Sequence, residues 1–167
     1  HERNRCRHVV MGKPAALVGS AGMQKAAGQG ILYLLEEWAR LEKKDLGKAT
    51  FFVQGFGNVG SWTAKLLAAR GAKLLAAEDA SGAICDEKGI DAEDLAAYVS
   101  RGGLIEGYPK AASIGHETFM STKAGIFIPA ALQNQITKDT APLLNVSLVA
   151  EGANFPTDRE ADAILAE

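Results

Sequence analysis

The stretch FFVQGFGNVGSW, residues 51–62, places glycines at positions 55, 57 and 60 directly after an apolar run. In a dinucleotide-binding fold, the first glycine of GxGxxG permits a tight turn and the second lets a pyrophosphate approach the backbone. The third lets helix and strand pack closely. The motif carries this meaning only between a strand and a helix, so the flanking sequence decides whether it is a binding loop.

The flanking residues predict a strand before the glycines and a helix after them. Residues 49–54, ATFFVQ, are rich in aromatic and β-branched residues, which is typical of a buried strand. Residues 58–72 have helical spacing, and the predicted helix ends at Gly71. Residues 72–79, AKLLAAED, predict a second strand. Strand, glycine turn, helix and strand form one βαβ unit, which builds a parallel sheet.

The rest of the chain extends this pattern. Apolar residues at three- and four-residue spacing predict a long amphipathic helix over residues 20–44. Further elements follow: a helix at 91–102 capped by Asp91, a strand at 124–132, a short helix at 137–144, a strand at 146–153 and a helix from Thr157 as N-cap. We therefore expect one Rossmann-type domain over residues 1–167, an α/β fold with a doubly wound, mainly parallel sheet preceded by a long helix.

Composition excludes several classes of function. The formal net charge of the 167 residues is -2, and Lys and Arg are scattered, so neither a nucleic acid nor a membrane partner is expected. Apolar segments are shorter than the roughly 20 residues needed to cross a bilayer, which makes the cytoplasm the default location. The two cysteines lack metal-type spacing, and the histidines are isolated and interpreted as surface or structural residues. We predict no metal site.

The second strand ends in Glu78 and Asp79, at the distance from the glycines where an acidic residue binds the ribose of NAD. We favour Asp79 as this residue, and NAD over NADP, because a carboxylate repels a 2′-phosphate. The alternative is a turn-capping carboxylate before Ser81 and Gly82. The loop alone also leaves other adenine-containing ligands open, including S-adenosylmethionine and FAD.

Several motifs together resemble those of the glutamate, leucine, phenylalanine and valine dehydrogenases. They are HVVMGKP, GSAGMQKAAGQG, QGFGNVGSW, IFIPAALQNQIT and VAEGANFPT, and LIEGYPKA is similar to the glutamate dehydrogenase branch. The resemblance implies the cofactor-binding domain of an enzyme that oxidises glutamate to 2-oxoglutarate and ammonia, with hydride transfer to a nicotinamide. It also implies a homo- or hetero-hexamer for the full-length protein. No residue here matches a catalytic position, so we expect the substrate domain to be absent from this chain.

The resemblance also implies which residues bind the cofactor. On the phosphate and ribose side these are Gly55, Gly57, Asn58, Val59, Gly60 and Asp79, and on the nicotinamide side Ala130, Asn134 and Asn154. Asn154 has an alternative interpretation, as a residue that tolerates a tight turn before Phe155 and Pro156.

Three departures from the family pattern fall on the nicotinamide side. Met11 and Ala27 stand where the family usually has threonine, and Phe155 stands where it has glycine. A phenylalanine there is expected to fill nicotinamide space. These positions favour a second hypothesis, a non-catalytic regulatory subunit with an altered pocket, although lineage drift explains them too. A third and weaker hypothesis is a Rossmann-type module that binds an adenine nucleotide.

Overall fold

The computed structural model describes residues 22–166. Its α-helices are α1 (Met23–Leu41), α2 (Asn58–Ala69), α3 (Ala92–Ser100), α4 (His116–Met120) and α5 (Arg159–Leu165). Its strands are β1 (Thr50–Gln54), β2 (Lys73–Asp79), β3 (Gly82–Ile90), β4 (Ala112–Ile114), β5 (Ile126–Pro129) and β6 (Leu148–Val149). None of the helices in this part of the chain is long and apolar enough to span a membrane.

Within residues 22–166 the strands form one six-stranded sheet in the order β4-β3-β2-β1-β5-β6. Strand β1 pairs in parallel with β2 and β5, and β5 pairs in parallel with β6. This confirms the expected mainly parallel α/β sheet. Helix α2 ends at Ala69, and Gly71 follows with φ 96°, so the predicted glycine stop is also confirmed.

Alternate residues of β1 bury their side chains on opposite faces of the sheet. Phe51 and Val53 lie in a core with residues of α1, α2 and α3. Phe52 lies on the other face, in a core with residues of α4 and α5, where its ring stacks on Phe127 at a centroid distance of 4.4 Å. Helices therefore cover both faces, as a doubly wound sheet requires.

Two antiparallel strands were not predicted from the sequence. Strand β3 folds back on β2 through a turn at Asp79–Gly82, and β4 then pairs antiparallel with β3. The charged residues 86–88 and Gly89, which has φ 102°, interrupt the alternation that would have indicated β3. The hairpin continues the sheet beyond β2, next to the predicted ribose-binding carboxylate.

Two predictions about helices are wrong. The helix expected at 137–144 is only a 3-10 turn over Ala141–Leu143, because Pro142 cannot donate to a helical ladder and its ring would clash with an earlier carbonyl. The last helix is capped by Asp158, whose side chain accepts from Ala161 N at 2.7 Å, and not by Thr157. Thr157 instead forms a parallel bridge with Ile136, so the helix begins later.

Candidate functional site

The three glycines of the turn between β1 and α2 differ in their surroundings. Gly55 has φ 86°, where a residue with a side chain is strained. A Cβ at Gly60 would lie 1.8 Å from the carbonyl oxygen of Gly55, so helix and turn touch there. A Cβ at Gly57 would meet nothing within 4 Å. Among residues 22–166, the space on the Cβ side of Gly57 is therefore open.

Helix α2 begins at this open face with unsatisfied donors. Gly57 is its N-cap, no side chain of residues 22–166 caps the helix, and its first turn holds no acidic residue. The first amides of a helix have no intrahelical acceptor, and the helix dipole favours an anion at this end. Asn58 is exposed, whereas the Val59 side chain packs against the core. The arrangement can hold a phosphate on backbone amides.

Next to the turn lies a cavity of about 550 Å³, which we call the strand-end cavity because the carboxyl ends of β1, β2 and β5 border it. Its lining consists of Gln54, Gly55, Phe56, Gly57, Glu78, Asp79, Ala80, His116, Ala130, Ala131, Leu132 and Gln135. The cavity brings together four of the predicted cofactor residues, Gly55, Gly57, Asp79 and Ala130. Its place at the carboxyl ends of parallel strands is where open α/β sheets bind ligands.

Asp79 lines the strand-end cavity and also closes the hairpin that follows it. Its Oδ1 accepts from the backbone N and the Oγ of Ser81, at 2.8 and 2.5 Å. The turn-capping role weighed from the sequence is therefore present. These bonds use only Oδ1, so the role does not by itself conflict with ribose binding by the same carboxylate.

Glu78 lies at the centre of a polar cluster that the sequence did not predict. Its side chain is buried, its Oε2 accepts from Gln54 Nε2 at 3.0 Å, and His116 Nδ1 lies 2.8 Å from its Oε1. For Gln54 the sequence did hold a signal, because this polar residue ends a buried strand just before a glycine turn. The sequence held no such signal for His116, because 38 residues separate it from Glu78. The interpretation of the histidines as surface or structural residues did not identify this contact.

The residues predicted on the nicotinamide side lie on segments that follow β5 and β6, and not all of them line the strand-end cavity. Ala130 N donates to Gln54 O at 2.7 Å, which places it there. Asn134 has φ 53° and its N donates to the carbonyl of Phe155, which has φ 50°. Asn134 and Asn154 are both exposed. Their contact with a nicotinamide stays a prediction.

Of the three altered pocket positions, the described residues include Ala27 and Phe155. Met11 lies outside the described residues. Ala27 is exposed on α1, next to Gly28, where the helix packs closely on α2. The Phe155 side chain is 81% exposed, so within the described domain its ring does not fill a cavity. Its expected effect would have to act on a ligand, or on protein outside these residues.

The strand-end cavity has side chains and backbone of the kinds that dinucleotide folds use. Among residues 22–166, no three His, Cys, Asp or Glu side chains converge as a metal site would need. The cavity instead combines open backbone at Gly57, an uncapped helix end and acidic side chains at the end of β2. These are the features that recognise a pyrophosphate and a ribose.

Comparison with known proteins gives consistent matches over nearly the whole chain. The profile of the glutamate/leucine/phenylalanine/valine dehydrogenase family matches residues 19–167. Glutamate dehydrogenase A2 of Halobacterium salinarum is 39% identical over 160 residues, which cover 95% of this chain and 38% of that protein.

Solved structures agree with these matches. The Leu-bound form of the hetero-hexameric glutamate dehydrogenase from Thermus thermophilus is 34% identical, with a TM-score of 0.86, over 96% of this chain and 38% of its own. Plasmodium falciparum glutamate dehydrogenase is 25% identical, with a TM-score of 0.84, over 93% of this chain and 36% of its own. The chain thus spans well under half the length of these relatives.

Proposed function

Because the chain belongs to the glutamate/leucine/phenylalanine/valine dehydrogenase family, we propose that it forms the dinucleotide-binding domain of a glutamate dehydrogenase. In such an enzyme a bound nicotinamide accepts hydride as glutamate is oxidised to 2-oxoglutarate and ammonia. The relatives are more than twice as long as this chain. We therefore assign the groups that bind glutamate and move its protons to protein beyond these residues.

The observation that carries this proposal is the open backbone at Gly57. Among residues 22–166 nothing lies within 4 Å of its Cβ position, although Gly55 and Gly60 are crowded, and it begins a helix that no described side chain caps. In this position the amides of the first turn of α2 would hold the pyrophosphate. The adenosine half would then extend into the strand-end cavity, and the nicotinamide half toward the segments that follow β5 and β6.

We propose NAD as the cofactor because of the acidic side chains at the end of β2. Asp79 and Glu78 place two carboxyl groups at the end of β2, and Asp79 lines the strand-end cavity. A 2′-phosphate in this cavity would meet negative charge, whereas a ribose hydroxyl can donate to a carboxylate. For the assembly we propose a hexamer, because the Thermus thermophilus relative is a hetero-hexameric enzyme.

A second candidate function is a regulatory subunit that binds a nucleotide without catalysis. The observation in its favour is Phe155, whose ring projects from a left-handed backbone position at the edge where the nicotinamide half is expected. In the family pattern a glycine stands there. A ring at this place would obstruct the nicotinamide but leave the adenosine half unaffected.

Titration with NADH, NADPH and ADP separates the two candidates, followed by calorimetry or by the fluorescence of Trp38 and Trp62. The dehydrogenase proposal expects NADH to bind more tightly than both ADP and NADPH. Equal affinity for NADH and ADP would mean that the nicotinamide contributes nothing, and would favour the regulatory subunit. If none of the three binds at millimolar concentration, both candidates are wrong.

A further inference from the structure

Among the described residues that line the strand-end cavity, His116 is the one whose side chain can carry a positive charge. The others are uncharged or acidic. The His116 side chain is 54% exposed and borders the cavity, so a ligand bound there can reach it. Histidine is also the side chain that ordinarily changes charge between about pH 5 and 8. The net charge of the cavity lining therefore depends on pH in this range.

Glu78 fixes the role of each nitrogen in the His116 ring. Nδ1 lies 2.8 Å from Glu78 Oε1, and a carboxylate only accepts hydrogen bonds, so Nδ1 carries a hydrogen. Gln54 Nε2 donates to the other carboxylate oxygen at 3.0 Å, which holds Glu78 in place. No described residue is hydrogen-bonded to Nε2 of His116. This atom is an acceptor in the neutral ring and a donor in the protonated one.

The charged neighbours of His116 come from β2 and from its own helix. Glu78 and Asp79 of β2 line the cavity beside it, and Glu117 is the next residue of α4. Helix α4 also packs on β3, where Cys85 contacts the same apolar core, and burial raises the pKa of this thiol, so it is uncharged near neutral pH. Within the described residues, a protonated His116 is thus a single cation among acidic groups.

The 2′-phosphate that distinguishes NADP from NAD is attached to the ribose that we propose Asp79 binds. Glu78 precedes Asp79 in β2, and His116 is bonded to Glu78, so all three side chains border one part of the cavity. A 2′-phosphate there would meet two carboxylates while His116 is neutral. Once His116 is protonated, its charge offsets that of Glu78, and its Nε2 can donate a charge-assisted hydrogen bond to the phosphate.

We propose that His116 is a specificity-determining residue that makes the choice between NAD and NADP depend on pH. With His116 neutral, the carboxylates exclude a 2′-phosphate, and with His116 protonated, the cavity accommodates one. The preference for NAD is then greatest in alkaline solution and narrows as the pH falls. The inference rests on the proposed function, because it requires a dinucleotide in the strand-end cavity.

The experiment is calorimetric titration of the 167-residue chain with ADP and 2′-phospho-ADP at about pH 8 and about pH 6, on either side of the ordinary histidine transition. These ligands differ only at the 2′ position, and neither carries a nicotinamide that Phe155 could obstruct. The wild type should prefer ADP at the higher pH. Its affinity for 2′-phospho-ADP relative to ADP should be at least about fivefold greater at the lower pH, as expected for one charge-assisted hydrogen bond that is mostly formed there.

The variant His116→Asn assigns this change to the imidazole. The asparagine amide can still donate to Glu78, but it does not titrate. The 2′-phosphate itself takes up a proton near pH 6, so wild type and variant are compared at one pH, where this contribution is the same for both. At about pH 6 the variant should bind 2′-phospho-ADP, relative to ADP, about fivefold more weakly than the wild type. At about pH 8 the two proteins should discriminate equally.

Glu117→Gln is the matched control. Glu117 is the neighbour of His116 on α4 but does not line the strand-end cavity. The variant changes the net charge of the same helix turn and keeps the imidazole. It should therefore retain the wild-type change in relative affinity between the two pH values.

The outcomes separate this inference from the proposed function. If ADP binds but wild type and His116→Asn discriminate equally at about pH 6, or if Glu117→Gln loses the pH dependence too, the inference is wrong and the dinucleotide proposal stands. If the wild type binds neither diphosphate at millimolar concentration, both are wrong. Should His116→Asn fail to fold, as judged by thermal unfolding, His116→Gln is also uncharged and decides the question by the same comparison.

Discussion

Replacing Gly57 with alanine should separate phosphate binding from folding. Gly57 has a φ of -75°, outside the left-handed range that favours glycine. Its Cβ would project into space that is empty for 4 Å. The same change at Gly60 would place a Cβ 1.8 Å from the carbonyl oxygen of Gly55. Gly57→Ala should therefore fold normally, whereas Gly60→Ala should be severely destabilised.

The expected magnitudes follow from this geometry. Removing a glycine at a compatible position restricts the unfolded chain and should raise the free energy of unfolding by about 0.4–1 kcal/mol. If a pyrophosphate lies against Gly57, the new methyl group would displace it from at least one amide. Losing one hydrogen bond to a charged group costs about 1.5–3 kcal/mol, which corresponds to an affinity for ADP that is about ten- to a hundredfold lower.

The assay pairs urea unfolding with calorimetric titration of ADP. Gly30→Ala is the control, because Gly30 lies inside α1 and its Cβ would also meet nothing within 4 Å. It should stabilise the chain by about 0.5–1 kcal/mol and leave ADP affinity unchanged. A Gly57→Ala variant that is folded and binds ADP as tightly as the wild type would refute the assignment of the pyrophosphate to this turn.

Three further predictions concern Phe155, Asp79 and Asp94. Phe155→Gly should raise the free energy of unfolding by about 0.5–1 kcal/mol, because it relieves the left-handed strain, while Phe155→Ala in the same urea titration should not. Asp79→Asn keeps an acceptor for Ser81 but loses the charge, so it should improve NADPH binding relative to NADH in calorimetry. Hydrogen bonds from Lys110 and then Tyr108 lower the pKa of Asp94 from its ordinary 3.8. The resulting stability is complete above that value and is lost as the pH falls toward the lower folded pKa, so acid unfolding of Asp94→Asn should be shallower there.

The sequence predicted the features that depend on local pattern. The turn from β1 into α2 was predictable because three glycines, an apolar run and a helical repeat lie within about one βαβ unit. The N-cap of α3 was predictable from Asp91, whose side chain accepts from the amides of Glu93 and Asp94. In both cases the residues that interact are close in sequence.

What the sequence did not predict depends on tertiary contact. The cluster of Gln54, Glu78 and His116 joins residues 24 and 38 positions apart, and no local spacing brings them together. Strand β3 owes its conformation to pairing with β2 and β4, which overrides its weak alternation. The exposure of Phe155 was not predicted either, because a phenylalanine by itself suggests burial.

Among residues 22–166, the outermost strands of the sheet are very short, with three residues in β4 and two in β6. An edge strand offers unpaired backbone groups to which another chain can add, and a short edge offers few of them. Copies of this domain should therefore resist strand-to-strand aggregation at high concentration. This matters in practice, because calorimetry of weak nucleotide binding needs concentrated protein, and light scattering of such samples should show no growth of large species.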